Sequence, residues 1–97
     1  MTDETRTTTL ELTGEIDIST VESVRVTLQE AVAARPHRIV VNMAGVSFID
    51  STGLGALIAG FQRARDNHIS FLLAEPSAQV RQILVLSGLL EVVPITP

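Results

Sequence analysis

The chain has 97 residues, 45% of them hydrophobic, and a formal net charge of −4. It has no cysteine, which excludes disulfides and thiolate metal sites, and its basic residues are all arginines, scattered along the chain. With no basic cluster and only Phe48, Phe61 and Phe71 as aromatics, a nucleic-acid surface is not expected, because that needs a phosphate-neutralising patch or stacking rings.

No apolar run approaches the roughly 20 residues of a membrane span. Met1 to Thr9 is polar and has no apolar core of a secretory signal. The expectation is one cytoplasmic domain over residues 1–97 with a protein partner.

Thr7 to Thr13 alternates around Leu10 and Leu12, the pattern of a strand with one solvated face. Gly14 is expected to end it, and Glu15 to Ile18 to connect, placing Asp17 beside the next helix. Ser19-Thr20-Val21-Glu22 fits a capping box. A helix over 19–34 follows, with Val21, Val24, Leu28, Ala31 and Val32 on its inner face, stopped by Pro36.

Arg38 to Met43 is β-branched without clean alternation, which suits a strand covered on both faces. Asn42 is a polar residue near its expected end. Ala44 to Ser47 reads as a turn before the apolar pair Phe48-Ile49. From Ser51 or Thr52 a helix is expected to run to about Asn67, with Leu54, Leu57, Ile58, Phe61 and Ala64 as its stripe. Gly53, Gly55 and Gly60 each weaken it by about 1 kcal/mol relative to alanine, so close approach of a backbone or ligand is sought for them.

Ile69 to Ala74 is the next strand. Ser77 is a candidate cap for a third helix, with Val80, Ile83 and Leu84 inside. Gly88 suits a left-handed helix end, with Leu89 as the apolar contact of a Schellman motif. Val92 to Ile95 reads as a last strand, at an edge because Pro94 lacks an N–H. The order β-α-β-α-β-α-β indicates an α/β layer fold. The corner after the first strand leaves room for it to run antiparallel to the others.

Polar chemistry concentrates in Asp50-Ser51-Thr52-Gly53-Leu54-Gly55. A hydroxyl before a helix is most often a cap. Here there are two hydroxyls, a carboxylate beside them, and glycines that leave the helix start bare. Such a start favours anionic oxygen, so Ser51 is a cap, a nucleophile or a phosphate acceptor. A serine-hydrolase elbow needs glycine where Ile49 stands, and His37 and His68 fall in separate turns. A Walker loop needs a lysine, and Gly53, Gly55 and Gly60 do not space as a dinucleotide fingerprint. No ligand cluster for a metal is visible, so neither an enzyme nor a cofactor is expected.

Gly14-Glu15-Ile16-Asp17, a strand ending near Asn42, the Phe48 to Gly55 segment and Ser87-Gly88-Leu89 together resemble the STAS domain of bacterial anti-sigma-factor antagonists. The resemblance runs from about Leu10 to Val93, and Asp-Ser-Thr-Gly-Leu-Gly is its specific part. It implies a single layer of mixed, mostly parallel four- or five-stranded sheet with three helices packed mainly on one face. It implies phosphorylation on Ser51 by a partner that is both anti-sigma factor and serine kinase, reversal by a serine phosphatase, and release of a sigma factor by the unphosphorylated form. Asp17, Asn42, Asp50, Thr52, Gly53, Leu54 and Gly55 would form the phosphosite neighbourhood and partner surface. The family's usual first strand would be missing or reduced to residues around Thr5, and a final helix after Pro97 absent. A monomer or weak homodimer is expected. A STAS subunit docking on a transporter ATPase is the alternative, and a nucleotide-binding module the weakest.

Overall fold

The structure is a computed structural model that describes residues 6–96. The remnant strand expected around Thr5 lies outside the described residues. The elements are β1 (Thr7–Ile16), α1 (Val21–Ala33), β2 (Arg38–Ile49), α2 (Ser51–Asp66), β3 (Ser70–Ala74) and α3 (Ala78–Leu86), followed by a short 3₁₀ turn at Leu89–Glu91.

The sheet has the order β1-β2-β3 with both pairings parallel. The first strand therefore does not run antiparallel. Each pair is joined by a helical crossover, and the right-handed rule puts α1 and α2 on the same face. β1 and β2 are longer than their patterns suggested. Gly14, at φ +75°, sits inside β1 instead of ending it, and Ala44 to Ser47 belongs to β2 instead of a turn. The register between the two slips between Glu11 and Thr13 and again between Gly14 and Glu15. Such irregularities break the period of two on which a strand is recognised. Gly45 is tight at one of them: a Cβ there would lie 2.9 Å from Thr13 Cγ2.

β3 pairs only with Arg38 to Asn42, so the β1–β2 ribbon extends past it toward Ser51. The expected last strand does not form. Val92 to Ile95 leaves the 3₁₀ turn and makes a single parallel bridge, Leu73 to Ile95. Leu73 N–H donates to Pro94 O at 3.0 Å and Thr96 N–H donates to Leu73 O at 2.8 Å. Among the described residues the sheet is thus three-stranded, not four- or five-stranded.

One face of the sheet carries the core. Ile39, Val41 and Met43 are fully buried, whereas Arg38 is exposed and Val40 and Asn42 are half-buried. The strand is not covered on both faces, as its composition had suggested. α1 buries the expected Val21, Val24, Leu28, Ala31 and Val32. α2 turns inward Gly53, Ala56, Leu57, Gly60 and Ala64, while Leu54, Ile58 and Phe61 pack at the margin. Gly60 lets α2 approach α1, since a Cβ there would meet Leu28 Cδ1 at 3.0 Å. Phe61 and Phe71 stack edge to face at 6.1 Å.

α3 packs on β2 through Val80 and Leu84. Ser77 caps it, accepting from Val80 N–H at 3.2 Å. At its other end Gly88 is left-handed, φ +80°, and its N–H reaches Val85 O at 3.1 Å. Ser87 Oγ donates to Leu84 O at 3.0 Å and accepts from Leu89 N–H at 3.3 Å. The serine hydroxyl thereby bridges the two groups that the outer bond of a Schellman motif would join.

Candidate functional site

The site is built where β1 and β2 end together. Ile16 and Ile49 are register partners, both buried, and Asp50 N–H donates to Ile16 O at 3.1 Å. The next residue on each strand is an aspartate, Asp17 on one and Asp50 on the other. Adjacent strands are about 4.8 Å apart, so the two acids emerge at one edge, beside the start of α2.

Asp50 is the helix cap. Its backbone is extended and its Oδ1 accepts from Gly53 N–H at 3.0 Å. Ser51 is the first helical residue and lies exposed, so its hydroxyl is not needed as the cap. The reading of Ser51 as a cap is thus corrected: the carboxylate one residue earlier takes that role. Thr52 and Leu54 are half-buried.

Gly53 is buried, and its requirement is internal. A Cβ there would lie 2.7 Å from Ile49 Cγ1 and 2.8 Å from Ile16 Cγ2. Only a hydrogen lets α2 seat on the two strand ends. Gly55 differs: it is exposed, and a Cβ there would meet nothing within 4 Å. Its helix cost of about 1 kcal/mol has no compensating contact inside the fold.

Asp17 is held by the loop that leads into α1. It accepts from Ser19 Oγ at 2.7 Å, from Ser19 N–H at 2.9 Å and from Thr20 N–H at 3.2 Å. The Ser19 hydroxyl and Ser19 N–H lower its pKa below the usual 3.8, against an opposing desolvation, with Thr20 N–H adding to the lowering. Thr20 Oγ1 donates to Glu15 O at 2.8 Å and accepts from Asp17 N–H at 2.9 Å. The capping box does not form: α1 starts at Val21 with Thr20 as a cap that makes no side-chain capping bond. The serine and threonine serve the aspartate loop instead.

Asn42 is not part of this group. It pairs with Glu11 and Ala74 in mid-sheet, and its Oδ1 accepts from Ala44 N–H at 2.8 Å. From residue 42 to the strand end at Ile49 is roughly 20 Å of extended chain. Two residues not named as site residues from the sequence do lie at the site end. Ile18 is 79% exposed in the loop after Asp17, and Phe48 is 43% exposed on the side of β2 opposite Ile49. The alternation Phe48-out, Ile49-in was a signal for the second.

His37 precedes β2 and His68 follows α2, so each lies at the end of its element remote from Ser51. A 16-residue helix is about 24 Å long, which removes His68 as a base for a Ser51 nucleophile. Among the described residues no group of three or more metal-ligating side chains occurs, and no helix is long and apolar enough to cross a membrane. The site therefore offers an exposed hydroxyl on a helix N-terminus, two flanking carboxylates and an apolar rim.

A family model for the STAS domain matches residues 1–97. The anti-sigma F factor antagonist of Paenibacillus polymyxa is 29% identical over 85 residues, covering 87% of this chain and 73% of that protein. Among solved structures, an anti-sigma factor antagonist from Mycobacterium paratuberculosis aligns with a TM-score of 0.86 at 25% identity, over 96% of this chain and 79% of that one. The antagonist SpoIIAA in its unphosphorylated form aligns with a TM-score of 0.77 at 27% identity, over 95% of this chain and 81% of its own. SpoIIAA of Bacillus in its phosphorylated form gives 0.69 at 27% identity, over 99% of this chain and 86% of its own.

Proposed function

The chain belongs to the STAS domain family, and from that premise we propose that it is an anti-sigma-factor antagonist switched by phosphorylation of Ser51. The observation that carries the reading is the exposed Ser51 hydroxyl on the first turn of α2, relieved of capping by Asp50. The antagonist names of its relatives, and the existence of SpoIIAA in both phosphorylation states, support it.

In this reading the unphosphorylated corner docks on an anti-sigma factor with serine kinase activity, and the sigma factor is released. Ser51 Oγ then attacks the γ-phosphorus of ATP held by that kinase. The bond to the β–γ bridging oxygen breaks, ADP leaves, and the hydroxyl proton passes to a base of the kinase. A serine phosphatase restores the hydroxyl with water. The chain is the substrate, and nucleotide and magnesium belong to the kinase. Half-buried Thr52 is the poorer acceptor.

Phosphate adds about −1.5 to −2 charge at pH 7. Bare amides of the α2 N-terminus partly accommodate it in the free protein, so no refolding is required. In a fitted interface it must be desolvated close to the carboxylate of Asp50 and, across the strand ends, of Asp17. A cost of about 3–4 kcal/mol lowers affinity several-hundred-fold.

Incubation with a purified anti-sigma kinase and ATP, followed by peptide mass spectrometry, tests the modification. Phosphate on Ser51 is expected. Its absence while the kinase phosphorylates a known substrate contradicts the reading. Ser51→Ala is expected to bind the kinase constitutively and Ser51→Asp to bind it more weakly. Selective binding to a transporter ATPase in place of any anti-sigma factor would instead favour the transport-associated role.

A further inference from the structure

We infer that the groove between α1 and α2 receives an acidic segment of the anti-sigma partner; this rests on the antagonist reading and deepens it. The groove encloses about 60 Å³ and is lined by Arg25 and Gln29 from α1 and by Ala56, Ala59, Gly60 and Arg63 from α2, over a floor made by Leu28. Its origin is steric. Gly60 draws the helices together against Leu28, while the short side chains of Ala56 and Ala59 leave the space above unfilled.

Its charge is opposite to that of the molecule. Each bank carries an exposed arginine, Arg25 and Arg63, in a chain of net charge −4. Three acids stand close to it in sequence, Glu22 and Asp66 each three residues from one of the arginines and Glu30 next to Gln29, but none of them lines the groove. Guanidinium groups pair with carboxylates through two parallel hydrogen bonds, so a partner strand or helix bearing Asp or Glu is the complementary occupant.

The groove is continuous with the phosphosite. Ser51, Gly55, Ala59 and Arg63 follow one i, i+4 row, which slants from the exposed start of α2 into the groove over about 18 Å of helix. Gly55 lies on that row with no internal contact to fill, so a partner backbone can pass close to the helix there. One docked surface therefore meets acids at the Ser51 end and arginines at the other. This polarity fixes its orientation and register.

The test uses the full chain and the purified anti-sigma factors of the source organism, titrated one at a time by calorimetry at two salt concentrations. Arg25→Glu combined with Arg63→Glu is expected to weaken binding at least tenfold and to flatten its salt dependence, with only a small fall in melting temperature from the loss of a cation in the last turn of α2. Arg25→Gln with Arg63→Gln should give a smaller loss and serves if the reversal disturbs folding. Gly55→Ala should raise the melting temperature and weaken binding several-fold, opposite signs that a purely structural role would not produce. Wild-type affinity in both double variants overturns the groove assignment while leaving the antagonist reading intact. Failure of the wild-type chain to bind any of the anti-sigma factors sinks both.

Discussion

Asp50 and Gly53 shape the corner, and Ser51 is what it presents. Replacing Asp50 by alanine removes the bond to Gly53 N–H and is expected to cost about 1 kcal/mol in urea denaturation. Gly53→Ala forces a methyl against Ile16 and Ile49, and a loss of about 1–3 kcal/mol is expected by the same assay. Asp17 supplies a pH signature. Its folded pKa lies below 3.8, so its contribution is fully present above that unfolded value and is lost as pH falls through the folded one. An acid titration followed by circular dichroism should show the share of stability that Asp17 carries being lost below about pH 3.8, and Asp17→Ala should remove that share. The motif itself was legible from residue types. The assignment of its cap was not, because aspartate and serine are both good caps and only the backbone angles at residue 50 decide between them.

At the scale of elements, the helices were the readable part. The inner face of α1 falls on the residues its spacing marks, and Ser77 and Gly88 bound α3 as their chemistry suggests. The strands were less so. β1 and β2 run through Gly14 and Gly45 with slipped register, and a bulged strand has no single period to read. Val92 to Ile95 has the composition of a strand, but Pro94 offers no donor and only one bridge forms. Contacts distant in sequence were also invisible. α1 has no basic residue in its last turn, and Arg6, from before β1, donates instead to Ala34 O at 3.0 Å and to Arg35 O. Arg6→Ala is expected to destabilise the protein by about 0.3–1 kcal/mol at low ionic strength and by less in high salt, measured by chemical denaturation.

Across the whole molecule, the proposed switch edits the charge of a surface that the core holds in place. Ile16, Ile49 and Leu57 are all essentially inaccessible, so the corner is seated on core and not on a loose loop. In the proposed reading, phosphate at Ser51 changes what can be bound without changing the fold. The most direct measurement is calorimetric titration of one anti-sigma kinase with the unmodified chain and with the chain stoichiometrically phosphorylated on Ser51. A several-hundred-fold weaker Kd is expected for the phosphorylated form, with the same circular dichroism spectrum. Equal affinity of the two forms would contradict the proposed switch.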